Sequence, residues 1–294
     1  MGTSILTIKN LTKHYKELKA LNRVSFDVNK GEIFVIVGPN GAGKTSLIEI
    51  IEGIRSFQVG EISLCGYRPG HNELKKIMGV QLEDFQFDKD LKVKEIFGLF
   101  NSFYGSNFNI QNILESLKLT EKKETYYKNL SKGMRQRVSI GIAILHNPDI
   151  IFLDEISSGL DPQARRNIWS TLEKIKQKGQ TIILTTHYME EADYLADKIL
   201  LLVKGTVVML DTPQGIKETF KFKNKVVLKG SQIDAGKIDI EFELFDSGTR
   251  LTFFTNFPKQ LKKKLLELSY SSSKIELLPI TLEDIFLFYT NKEQ

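Results

Sequence analysis

One stretch, EIFVIVGPNGAGKTSLIEII from Glu32 to Ile51, leaves this chain few ways to fold. Ile33-Phe34-Val35-Ile36-Val37 is an apolar run of strand length, and such a run without polar alternation reads as a strand buried on both faces. It breaks into Gly38-Pro39-Asn40-Gly41-Ala42-Gly43-Lys44-Thr45, and an apolar helical pattern (Leu47, Ile48, Ile50, Ile51) follows. The spacing is G-x-x-x-x-G-K-[ST], placed between strand and helix as that pattern requires. Glycines let backbone N–H groups converge on phosphate oxygens without side-chain clash. The following helix offers its N-terminal partial positive charge to the same anion. Lys44 has the reach to meet β- and γ-phosphates, and the Thr45 hydroxyl suits a magnesium ion. The bland alternative is a glycine-rich turn with no ligand, and the filled fixed positions speak against it.

The bulk numbers narrow the class further. At 294 residues the chain accommodates one large domain and a small one. A hydrophobic share of 41% and a charged share of 26% belong to an ordinary globular protein. No apolar run approaches the roughly 18–20 residues that span a bilayer; the longest, such as Ile199 to Val203, are strand-sized. Met1 to Lys9 lacks the basic start and apolar block of a secretory leader, so none is expected there. Cys65 is the single cysteine, which rules out an intrachain disulfide and fits a reducing compartment. The formal charge of +5 is mild and dispersed, and argues for neither nucleic acid nor acidic lipid as a partner.

Along the chain, Ile5 to Val37 reads as an antiparallel β region feeding the central strand, with Val24, Phe26 and Val28 alternating with Ser25, Asp27 and Asn29. Ile77 to Asp84 reads as a strand running into a polar loop. Leu91 to Pro148 turns helical, with an aromatic-rich segment (Phe97, Phe100, Phe103, Tyr104) and a helix that Ser131 caps and whose face is Met134, Val138, Ile142 and Leu145. Asp149 to Glu155 is a second buried strand, ending in two acids at the edge where α/β proteins handle ligands. The alternative, acids merely opening a loop, weakens beside a phosphate loop, which needs a magnesium-organising acid. Asp161-Pro162 starts a helix and Gly179 closes it. Thr181 to Thr186 is a third strand with His187 at its end, Met189 to Ala196 a short acidic helix, and Lys198 to Leu210 a hairpin turning at Lys204-Gly205.

A composition shift follows Phe220. The expectation is therefore a domain over 1–220, with a helical subdomain near 84–148, and a small α+β domain over 221–294. The latter should hold strands at Val226 to Leu228, Ile238 to Phe245, Leu251 to Phe254 and Lys274 to Leu278, a lysine-rich helix over Lys259 to Leu268, and a final helix from Thr281. Lys262-Lys263-Lys264 reads as a solvated helix face, with a lipid or nucleic-acid patch as the minor reading.

The order of these pieces resembles the ATP-binding cassette (ABC) ATPase family over essentially the whole chain. The phosphate loop, Leu130-Ser131-Lys132-Gly133-Met134 as the signature, the strand ending in Asp154-Glu155, Ser158-Gly159-Leu160-Asp161 as the D-loop and His187 as the switch histidine stand in the family's order. The fold this implies is α/β: a P-loop NTPase core with a mainly parallel sheet, an N-terminal antiparallel β region, a helical subdomain and the C-terminal α+β domain. The resemblance also implies roles. Tyr15 stacks on adenine, and Gly38, Pro39, Asn40, Gly41, Ala42, Gly43, Lys44, Thr45 and Ser46 hold the phosphates of ATP. Thr45 and Asp154 organise Mg2+, with Glu83 at the glutamine-loop position. Glu155 polarises the attacking water and His187 touches the γ-phosphate. Ser131 and Gly133 complete the site of a second ATPase subunit in a head-to-tail homodimer, and Asp161 of the D-loop stands among the nucleotide-binding residues.

Three departures stand out. The signature reads LSKGM where LSGGQ is commonest, although its serine and second glycine remain. Ile156 replaces the proline that often follows the acidic pair. Spacing from Gly79 to Leu91 places Glu83, not Gln81, at the glutamine-loop position. The tail, Pro279-Ile280-Thr281-Leu282-Glu283-Asp284-Ile285-Phe286, resembles that of ATPases serving drug, antibiotic, sodium or lipid-linked exporters. There two ATPase chains pair with separately encoded transmembrane permease subunits, which places this chain on the cytoplasmic face of the membrane, held through its partner. The competing reading is a soluble cassette ATPase acting on nucleic acid or ribosomes; it expects a coiled-coil insertion or two cassettes in one chain, and the sequence has neither.

Overall fold

The computed structural model describes residues 3–81, 86–105, 108–230, 233 and 235–291. The chain divides into two compact units, Met1–Leu210 and Asp211–Gln294. In the first, the strands are β1 (Ser4–Tyr15), β2 (Leu18–Asn29), β3 (Ile33–Val37), β4 (Val59–Leu64), β5 (Met78–Gln81), β6 (Ile150–Asp154), β7 (Thr181–Thr186), β8 (Lys198–Val203) and β9 (Thr206–Asp211). The helices are α1 (Lys44–Ile51), α2 (Leu74–Ile77), α3 (Val93–Phe103), α4 (Ile110–Ser116), α5 (Lys132–Ala143), α6 (Pro162–Gln177) and α7 (Met189–Leu195).

Two sheets carry this unit. β1 pairs antiparallel with β2 on one side and β4 on the other. The second sheet has the order β5-β6-β7-β3-β8-β9, and β5, β6, β7, β3 and β8 run parallel. All five residues of β3 and all six of β7 are buried, as strands flanked on both sides within a covered parallel sheet must be. Phe26 of the first sheet stacks on Phe34 of the second, with ring centroids 5.1 Å apart. Helix α1 shares one core with both sheets: Leu47, Ile48, Ile50 and Ile51 join Leu6, Ile8 and Leu11 of β1 and Phe34, Phe152 and Leu200 of the parallel strands. Buried on several faces, this helix is held by packing that stabilises it by about 1.5–3 kcal/mol per large side chain. Parallel strands β3, β6 and β7 thus deliver their carboxyl ends to one edge, beside the start of α1.

The aromatic segment is helical, as its pattern predicts. Val93, Ile96 and Phe97 of α3 are buried, whereas Leu99 and Phe103 face outward at 47% and 74% exposure.

The second unit contains α8 (Pro213–Thr219), β10 (Asn224–Lys229), β11 (Glu243–Asp246), β12 (Arg250–Thr255), α9 (Pro258–Glu267), β13 (Ile275–Pro279) and α10 (Leu282–Asn291). Its antiparallel sheet has the order β11-β12-β10-β13. Leu261 and Leu265 of α9 cover one face with Val226, Leu228 and Phe253, while Lys263 points outward. An aromatic cluster of Phe220, Phe222, Phe254 and Phe288 forms beside α10. The division falls before the composition shift at Phe220 because α8 packs on α10. The strand read over Ile238 to Phe245 is shorter: it spans Glu243–Asp246, and the Glu241 carbonyl accepts from the Thr255 hydroxyl instead of a ladder partner.

Candidate functional site

The phosphate loop is shaped by backbone approaching backbone. A Cβ added at Gly38 would lie 2.3 Å from the carbonyl oxygen of Leu202, a distance no side chain tolerates. Gly43, with φ of 103°, takes a left-handed conformation just before α1, and its Cα faces the Ala20 carbonyl closely enough that a Cβ would lie 2.5 Å from it. Lys44 is buried at 7% exposure, and its ammonium donates to the carbonyls of Gly38 at 2.8 Å and Pro39 at 3.3 Å. Its charge therefore sits inside the loop. No acidic residue occupies the first turn of α1, which leaves the helix N-terminus to attract an anion. Thr45 is exposed. Ser46 Oγ lies 3.3 Å from the hydroxyl of Tyr15, so the end of β1 is tied to α1 and the ring stands beside the loop. Lys13 and Arg55 flank that ring at 4.8 and 5.7 Å from its centroid, and Arg55 is paired with Glu49.

The acids arrive on β6. Asp154 is in register with Thr185 of β7, and its Oδ1 accepts from the Thr185 hydroxyl. Burial raises the Asp154 pKa; the Thr185 bond opposes this, the Glu155 charge adds to it, and the Lys44 charge opposes it. The backbone then turns into the left-handed region at Glu155, with φ of 47°, an unfavourable conformation for a side-chain-bearing residue. Its N–H donates to the Thr185 carbonyl at 3.1 Å. The turn brings the Glu155 carboxylate back toward the end of β7, where Oε2 lies 2.9 Å from His187 Nδ1.

The signature segment starts α5. Ser131 is the N-cap of α5, its Oγ accepting from the Met134 N–H at 3.3 Å. Gly133 is buried, and a Cβ there would meet Ala164 Cβ at 3.1 Å, so glycine lets α5 begin against α6. Asp161 caps α6 through the Ala164 N–H at 2.8 Å, with Pro162 at the first helical position. The chain therefore brings together Lys44, Asp154, Glu155 and His187, while Ser131, Gly133 and Asp161 gather at the α5–α6 contact. Glu83 lies outside the described residues; Gln81 is buried at the end of β5, in register with Leu153.

Two features escaped the sequence reading. Glu52, the C-cap of α1, is 8% exposed, and neither carboxylate oxygen has a hydrogen-bond partner among the described residues. Burial first, then the charges of Asp154 and Glu49, raise its pKa to about 8. Its position one turn beyond the buried Ile48 was the available signal. Glu191, Ser157 and Trp169 form a buried cluster between the acids and the helix after His187, which no local pattern announced.

Comparison with known proteins gives a consistent picture. A family model for ABC transporters matches residues 21–158. The Nod factor export ATP-binding protein I of Ralstonia nicotianae is 30% identical over 306 residues, covering 99% of this chain and 95% of that protein. Its counterpart in Burkholderia lata is 30% identical over 307 residues, covering 100% and 99%. Among solved structures, an ATP-binding subunit of an ABC transporter superposes with a TM-score of 0.66 at 29% identity, over 74% of this chain and 93% of that one. An ATP-binding cassette in its ADP conformation gives 0.65 at 26% identity, over 72% and 92%.

Proposed function

This chain belongs to the ABC transporter family as an ATP-binding, ATP-hydrolysing subunit, and on that premise we propose how its site works and what it serves. The observation that carries the mechanism is the Glu155–His187 contact of 2.9 Å at the edge where Lys44 fills the phosphate loop.

The triphosphate of ATP enters the loop, and the Lys44 ammonium turns from the Gly38 and Pro39 carbonyls to β- and γ-oxygens. Tyr15 stacks on the adenine. The residues present fit a magnesium ion: Asp154 offers the carboxylate oxygen left free by its Thr185 bond, and exposed Thr45 offers a hydroxyl. Among the described residues no group of three or more His, Cys, Asp or Glu side chains converges to hold a metal alone. One carboxylate and one hydroxyl leave the remaining positions to phosphate and water, which is how magnesium is held beside nucleotides. When bound, the ion neutralises charge on the β- and γ-phosphates. Glu155 accepts a proton from the water that attacks the γ-phosphorus as the bond to the bridging oxygen breaks. His187 holds the Glu155 carboxylate and presents its ring to the γ-phosphate.

Ser131, Gly133 and Asp161 complete the site of a second copy in a head-to-tail dimer. Ser131 caps α5, Gly133 lies against Ala164 and Asp161 caps α6; that the three gather at the α5–α6 contact supports this reading, and the N-terminus of α5 suits a phosphate across the interface. The relatives named for export support the further proposal that the dimer powers export through separately encoded membrane subunits, at the cytoplasmic face. No helix among the described residues is long and apolar enough to cross a membrane.

Glu155→Gln tests the mechanism: the variant binds ATP, elutes as an ATP-dependent dimer and loses turnover. Wild-type hydrolysis by that variant would remove Glu155 from its role. Purification of the chain with its membrane partner is expected to recover a multi-span protein; recovery with ribosomes or nucleic acid would overturn the export reading.

A further inference from the structure

Glu191, in the first turn of α7, is 0% exposed. Its Oε1 accepts two hydrogen bonds, from Ser157 Oγ and, at 2.9 Å, from Trp169 Nε1. Its Oε2 is buried with no partner among the described residues. Ser157, also 0% exposed, lies in the turn between Glu155 and the cap of α6. One carboxylate oxygen therefore joins three segments: the turn that carries Glu155, helix α6, and the helix that follows His187. A second tie runs parallel to it. The Arg165 guanidinium of α6 lies 4.5 Å from the ring centroid of Tyr188, and its Nη1 is 3.6 Å from Glu190 Oε2.

A buried carboxylate placed for stability alone is ordinarily satisfied at both oxygens. Here both donors converge on Oε1, so what the group provides is a shared anchor. The strained turn at Glu155, φ 47°, supplies what such an anchor has to hold.

We propose that Glu191 is a positioning residue which, through Ser157, fixes the Glu155 turn to the His187 helix, so that the two groups facing the γ-phosphate move as one unit when the site closes on nucleotide. This rests on the roles given above to Glu155 and His187.

Ser157→Ala removes the donor and Glu191→Ala the acceptor. Each lowers kcat about tenfold or more with KM for ATP within about twofold, since Lys44 and the loop amides are untouched. Glu191→Gln keeps an acceptor oxygen and recovers most of the lost rate. Trp169 is the single tryptophan of the chain and donates to the same oxygen, so its emission reads the anchor directly. In the Glu155→Gln background, ATP with Mg2+ shifts Trp169 emission; adding Ser157→Ala abolishes the shift while ATP still binds. The proposal is overturned if folded Ser157→Ala keeps wild-type kcat, if KM rises as far as kcat falls, or if the emission shift is absent with Ser157 present or survives its removal. Should Glu191→Ala fail to fold, Ser157→Ala carries the test, with its melting temperature checked against wild type. Wild-type turnover by Glu155→Gln alone strikes at the underlying site assignment, and the positioning role falls with it.

Discussion

His187 Nδ1 stands 2.9 Å from Glu155 Oε2, a bond between residues 32 positions apart that are brought face to face by the parallel pairing of β6 with β7. One ring nitrogen is committed to the carboxylate, which fixes the ring plane and directs the other nitrogen away from it. His187→Ala is expected to lower kcat by about a hundredfold, the usual effect of losing one transition-state donor. Phosphate release at saturating ATP measures this, and ATP binding should change far less than turnover.

Lys44 makes its contacts to the carbonyls of Gly38 and Pro39 from a buried position. Lys44→Ala removes a charge-assisted donor to phosphate, worth roughly 1.5–3 kcal/mol, so ATP affinity should fall about ten- to a hundredfold. Calorimetric titration with ATP and Mg2+ reads the change. An affinity equal to wild type would show that the loop amides hold the phosphates without it.

Tyr15 separates base recognition from phosphate recognition. If its ring stacks on adenine, Tyr15→Ala raises KM for ATP roughly tenfold, in line with about 1–3 kcal/mol for a base–aromatic stack. Tyr15→Phe keeps the ring and loses the hydroxyl's 3.3 Å contact to Ser46 and its bond to Arg55, so it should stay close to wild type. Equal losses in both variants would point to the hydroxyl instead.

Glu52 makes stability depend on pH in a defined direction. Its folded-state pKa, about 8, lies above the ordinary 4.5, so the native chain binds more protons than the unfolded chain between those values. Stability carried by the neutral carboxyl is complete below about pH 4.5 and is lost as pH rises toward 8. Glu52→Gln, neutral throughout, should therefore gain on wild type by roughly 4 kcal/mol as pH rises across that window. Urea midpoints at pH 5 and pH 8.5, without nucleotide, give the comparison, and equal differences at the two pH values would contradict it.

The tail of the chain has a structural reading of its own. Asp284 accepts the Thr281 N–H at 2.8 Å while Thr281 Oγ1 accepts the Asp284 N–H at 3.3 Å, a reciprocal cap at the start of α10. The same carboxylate lies 2.7 Å from Lys225 Nζ through each of its oxygens, pinning α10 to β10. Asp284→Ala should cost about 3–5 kcal/mol and Thr281→Ala about 1 kcal/mol, read from denaturant midpoints. Near-equal losses would mean that the Lys225 pair contributes little beyond the cap.

Legibility followed the range of each signal. The run Ile33 to Val37 and the alternation of Val24, Phe26 and Val28 carry their own periodicity, so strand, loop and helix around Lys44 were readable from adjacent residues. The resemblance named Glu155 and His187, but not that they touch, because strand pairing sets that contact. Glu191 illustrates the opposite case. Within an acidic helix it reads as solvated, yet its partners lie 34 and 22 positions away on two other segments, and only packing draws them together. The strand anticipated over Ile238 to Phe245 failed for a related reason: alternation persists, but a side chain has claimed the Glu241 carbonyl.

The walls behind the phosphate loop are the carbonyl oxygens of Leu202 and Ala20, atoms that every amino acid possesses. Replacing either neighbour leaves the wall standing, whereas adding a single carbon at Gly38 or Gly43 pushes it away. Mutational tolerance around the loop should thus be sharply divided: the two glycines intolerant of any substitution, and the residues that crowd them free to change wherever their own side chains have room.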